Sequence, residues 1–163
     1  ISGRVRLAFQ GGVAQGTARL GPRRIELLDM DAVVPLAVLA PSAGLEGQLG
    51  LRGFDLDLRG GECQRAAGEV LLNQLRLAGI ELAGLLLAGT PACSGADLLV
   101  PLRGQAEGVD VDVDLRISPA GAYQAQLILR TTRPEVEAAL AAVGYRRTLE
   151  GYETTFAGQL GVS

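Results

Sequence analysis

Apolar and polar side chains alternate along most of this chain, two residues per repeat. Val5, Leu7 and Phe9 alternate with Arg4, Arg6 and Ala8, and Gly11-Gly12 then suits a hairpin turn. Phe54, Leu56 and Leu58 alternate with Asp55, Asp57 and Arg59 before Gly60-Gly61. Leu75 and Leu77 alternate with Gln74 and Arg76 before Gly79, and Tyr152, Thr154, Phe156 and Leu160 oppose Glu153, Thr155 and Gln159. This period predicts half-buried antiparallel strands, apolar on one side and polar on the other.

Helical spacing is rare. Pro35 to Leu39 reads as a single helical turn ended by Pro41. The clear helix is "TTRPEVEAALAAVGY", where Thr132 and Glu135 fit a capping box and Pro134 sits in the first turn. Val136, Leu140 and Val143 share one face, and Gly144 is placed to stop the helix. Short Gly-rich turns leave no room for parallel crossovers. The expected fold is therefore all-β, a twisted antiparallel sheet of sequential hairpins. It should curl into a half-barrel, a groove or two layers and carry one short C-terminal helix. No linker divides the chain, so residues 1–163 are read as one domain.

The segment "VDVDVDLRISPAGAYQAQLIL" (residues 109–129) tests whether alternating carboxylates mark a catalytic or metal site. Pro119-Ala120-Gly121 fits a three-residue hairpin loop with Ser118 opposite Ala122. In that register Ile117 faces Tyr123, Val113 faces Leu127 and Val111 faces Leu129. On the other face Asp114 meets Gln126 and Asp110 meets Arg130, so one register satisfies both faces. Asp110, Asp112 and Asp114 are then about 6.5–7 Å apart along a strand. That is too wide for neighbours to share one Ca²⁺ without further ligands, and an open strand face lacks the cleft a glycosidase needs. The aspartates read as a solvated strand face.

Composition narrows the chemistry further. The chain has 163 residues and no histidine, and it carries a net charge of −3. Its basic residues are all arginine, scattered singly or in pairs, which argues against a nucleic-acid surface. Without His or Lys no ordinary nucleophile triad or Ser-Lys dyad can be assembled, and there is no P-loop. No catalytic residue, cofactor or metal ligand is assigned. The longest apolar run, "IELAGLLLAG", is too short to span a bilayer and contains Glu81. The chain opens on "ISGRVRLAF", already strand-like and without Met, which reads as a soluble piece of a longer protein.

Cys63 and Cys93 lie in no metal-ligand spacing. They are read either as buried free thiols or as a disulfide, and the disulfide would place the domain in an oxidising compartment.

The C-terminal part contains "LRISPAGAYQAQLILRTT", then a short helix ending "LAAVG", then "EGYETTFAGQL" with Gly151, Tyr152, Phe156, Gly158 and Leu160 in its pattern. Upstream stands "DMDAVVPLAVLAPSAGLEGQLGL". Together these resemble protein N of the bacterial type II secretion system, over nearly the whole chain. Cys63 and Cys93 stand outside the matching motifs. The resemblance implies a non-enzymatic periplasmic domain, held to the inner membrane by an N-terminal helix that precedes this sequence. It implies contact with other secretion components, either the inner-membrane platform or the periplasmic domains of the secretin. The alternative expectation is a lipid- or apolar-ligand-binding groove similar to the β-proteins of the AsmA and lipopolysaccharide-transport type; the chain's many aliphatics and few aromatics suit such a groove and a plain core alike.

Overall fold

The computed structural model describes residues 1–9, 11–39, 45–77 and 79–160. The side chain of Phe9 and the expected helix stop at Pro41 lie outside the described residues. The N-terminal strands are β1 (Ser2–Phe9), β2 (Gly12–Gly21), β3 (Arg24–Pro35), β4 (Glu46–Arg59) and β5 (Glu62–Leu77), with the helical turn α1 (Leu36–Leu39) between β3 and β4. Three short strands follow: β6 (Ile80–Glu81), β7 (Leu87–Gly89) and β8 (Ala92–Ser94). The C-terminal half holds β9 (Asp97–Ala106), β10 (Val109–Ile117), β11 (Ala122–Thr131), α2 (Pro134–Ala142), β12 (Arg146–Thr148) and β13 (Gly151–Gln159).

All strands join one sheet in the order β1-β2-β3-β4-β5-β7-β9-β10-β11-β13-β12, with β6 on β5 and β8 on β9. Each pairing is antiparallel, and the sheet does not close into a barrel. The expected fold class is the one observed.

The β10–β11 hairpin has the register read from the sequence, with Ile117 opposite Tyr123, Val113 opposite Leu127 and Asp110 opposite Arg130. Its loop closes as expected. The Ser118 amide donates to the Ala122 carbonyl at 2.8 Å, the Gly121 amide donates to the Ser118 carbonyl at 2.9 Å, and Gly121 has φ +90°. A side chain there would be forced into the left-handed region, which glycine enters freely.

The two halves of the sheet differ in regularity. Pairings among β9, β10, β11 and β13 run without a break, whereas register shifts interrupt β2–β3, β3–β4 and β4–β5. Bulges of this kind bend a strand and increase its twist. Aspartates satisfy amides near these breaks: Asp55 accepts from the Asp29 amide at 2.8 Å, and Asp31 accepts from the Gly53 amide at 2.9 Å. Asp29 is itself left-handed, at φ +50°.

The bending brings the two halves face to face. Residues of α1, β4 and β5 line the same apolar space as residues of β9, β10, β11 and β13. Pro119, in the β10–β11 turn, likewise shares a surface depression with the β2–β3 and β4–β5 turns. The sheet is thus folded over on its apolar face, and the core lies inside the fold.

Helix α2 adds Val136 and Leu140 to that core, both almost fully buried. Two details differ from the sequence reading. Thr132 does not cap the helix: the N-cap is Arg133, and no side chain caps it. Thr131 supplies the local hydroxyl instead, accepting from the Arg133 amide at 3.0 Å while donating to the Gly108 carbonyl at 2.7 Å. That second bond ties the hydroxyl to the neighbouring β9–β10 turn. Val143 is 57% exposed, because the helix ends at Ala142 and Val143 serves as its C-cap.

Candidate functional site

The three aspartates lie on the outer face, paired with arginines from both neighbouring strands. Arg103 on β9 reaches Asp112 at 3.4 Å and Asp114 at 2.9 Å, and Arg130 on β11 reaches Asp112 at 3.2 Å and Asp110 at 3.8 Å. The sequence reading found Arg130 but not Arg103, because it did not pair β9 with β10. Ion pairs this exposed contribute about 0–1 kcal/mol each. A second cluster covers the outer face of the N-terminal half. There Glu26 is buried beneath Arg19 at 3.1 Å and Arg24 at 2.6 Å, and Arg24 also approaches Asp57 at 3.5 Å. Among the described residues, no group of three or more His, Cys, Asp or Glu side chains is placed to hold a metal ion.

The Glu135 carboxyl is held low, first by its own backbone amide in the first turn of α2 and then by Arg133, whose Nε donates to it at 2.7 Å. Burial pushes the Tyr145 hydroxyl up to about 12.

Cys63 and Cys93 form a disulfide, with Cα atoms 5.5 Å apart. It joins the start of β5 to β8. Cys63 is buried, and its amide donates to the Ala96 carbonyl at 3.0 Å, so the bridge reinforces a contact the backbone already makes.

The inner face is not completely filled. Between the two walls lies a cavity of about 240 Å³, lined among the described residues by side chains such as Leu51, Val70, Val100, Leu115, Ala125 and Leu127. The wall presents no polar atom to this space. Tyr123 forms part of it, but its ring lies over Gly158, and its buried hydroxyl has no hydrogen-bond partner among the described residues. A Cβ at position 158 would come 2.8 Å from that hydroxyl oxygen and 3.0–3.1 Å from ring carbons, so glycine is what makes room for the side chain. Away from the cavity the same inner face becomes solvent-exposed: Leu7, Leu20 and Ile25 on β1–β3 are 49%, 51% and 45% exposed.

β1 forms one edge of the sheet. Ile1 and Leu20 exchange both backbone hydrogen bonds, and the β1–β2 register has no shift. Gly3, Val5 and Leu7 therefore bond to β2, while Ser2, Arg4, Arg6 and Ala8 turn their amides and carbonyls outward. Among the described residues nothing pairs with this edge, which can accept a further strand.

A folded-over antiparallel sheet with an apolar interior, a charged outer face and an unpaired edge strand defines a β-scaffold protein. The chain matches the family described as Type II secretion system (T2SS), protein N, over residues 1–155, and it belongs to that family. It is accordingly a component of the type II secretion machinery. No curated protein and no solved structure gives a match to the chain. None of the described helices is long and apolar enough to cross a membrane.

Proposed function

We propose that this chain is a non-enzymatic interaction module of the secretion machinery. It works in the periplasm, with the full-length protein anchored at the inner membrane, and it docks on the platform or on periplasmic domains of the secretin. The observation that carries this reading is the outward-facing backbone of β1 beside the half-exposed Leu7, Leu20 and Ile25. Such an edge recruits a partner strand through main-chain hydrogen bonds, and the adjoining apolar side chains supply contact area. The disulfide supports an oxidising compartment.

Co-purification of the full-length protein with separately expressed periplasmic domains of the platform and secretin tests this. Arg6→Pro removes one outward amide and leaves the β1–β2 bonds in place, since the Arg6 amide does not face β2. Arg6→Gln controls for the lost charge. Wild type and Arg6→Gln are expected to retain a partner that Arg6→Pro loses. Retention by Arg6→Pro would refute edge docking, and failure to retain any component would refute the module reading.

A further inference from the structure

We propose that the cavity between the two walls binds one unbranched fatty acyl chain, with its polar head left outside. The first argument is wall chemistry. The described lining is aliphatic or aromatic from end to end, and Tyr123 keeps its hydroxyl over Gly158, away from the space. A ligand with polar groups along its length would lose its water contacts there and gain no partner. The occupant is therefore hydrocarbon over the part that enters.

The second argument is size. An apolar cavity of about 150 Å³ holds benzene, with six carbons. By the same ratio the cavity of about 240 Å³ takes about ten carbons. That is one medium-length chain and not the paired tails of a diacyl lipid, so the ligand is a single-chain amphiphile.

This site does not depend on edge docking, and Arg6→Pro leaves it unchanged. Calorimetric titration of the full-length protein, prepared without detergent, uses hexanoate, octanoate, decanoate and dodecanoate below their micelle concentrations. Affinity is expected to rise about fourfold per methylene up to about ten carbons and then level off. A parallel titration with decanoyl lysophosphatidylcholine identifies the source: tighter binding than decanoate marks a lysolipid, and weaker binding marks a free fatty acid.

Ala125→Leu and Leu115→Phe add carbons to the cavity from two different strands. Each should lower decanoate affinity about tenfold or more while keeping the unfolding midpoint. Gln126→Leu, on the outer face, should leave affinity as in wild type. Affinity that does not change with chain length would overturn the proposal, and so would folded Ala125→Leu and Leu115→Phe proteins that bind decanoate like wild type.

Discussion

Replacing Cys63 and Cys93 together by alanine removes the covalent tie between β5 and β8 and leaves every pairing of the sheet available. The bridge spans a sequence separation of 30. The chain-entropy relation for a loop of that size gives about 3.5 kcal/mol of stabilisation, through restriction of the unfolded chain. For a chain of this length each kcal/mol moves the melting temperature by about 2–4 °C, so the double variant should melt about 7–14 °C below wild type. The fold should persist, because the Cys63 amide still bonds to Ala96 and β8 still pairs with β9. Circular dichroism checks both points: an unchanged far-ultraviolet spectrum and a lowered midpoint. Reduced wild type should melt with the double variant. A shift below about 2 °C once thiol titration shows both cysteines free would refute the reasoning. Two free thiols in non-reduced, denatured wild type would refute the bridge itself.

Gly158→Ala places a methyl group against the Tyr123 ring and should destabilise by about 1–3 kcal/mol in urea titration. Adding Tyr123→Leu to Gly158→Ala should restore part of that loss, and a Gly158→Ala protein as stable as wild type would show that the ring does not need the gap. Tyr145 concerns alkaline pH. Its folded value, about 12, lies above the ordinary value of 10. Its contribution is therefore whole below pH 10 and is lost as pH rises from 10 to 12, because the unfolded chain releases the proton first. Stability measured across that window should fall less steeply for Tyr145→Phe, and identical slopes would refute the assignment.

The hairpin of residues 109–131 was legible because each of its constraints pointed to the same register. Pro119 and Gly121 set the loop, the valines demanded one face and the aspartates the other. The bending of the N-terminal half was not legible. Its register shifts depend on where Asp29, Asp31, Asp55 and Gly53 meet across strands, and alternation along a single strand carries no record of that. The exposure of Leu7 was hidden for a related reason. Val5 and Leu7 alternate with arginines just as core-facing residues do, but β1 lies at the sheet's edge and the opposite wall does not cover it. The sequence raised an apolar groove only as an alternative, because leucines and valines pattern alike whether two facing walls meet or stay apart. The capping box pointed to Thr132 instead of Thr131, because what fixes Thr131 is a carbonyl from another turn.

The strand order described above also bears on how the chain reaches its fold. From β1 to β5 each strand pairs with the one just before it, and β9, β10 and β11 do the same. Such ladders form by closing short loops, at little entropic cost, so the sheet can grow in the order in which the chain is made. Other steps must wait for later sequence: β7 reaches β5 past β6, and β9 reaches β7 past β8. β13 takes its place beside β11 only after the intervening α2 and β12 have been made, and Cys63 pairs with Cys93 only after β6 and β7 have passed. The bridge thus needs sequence that follows the whole N-terminal ladder, and it ties the last strand of that ladder to β8.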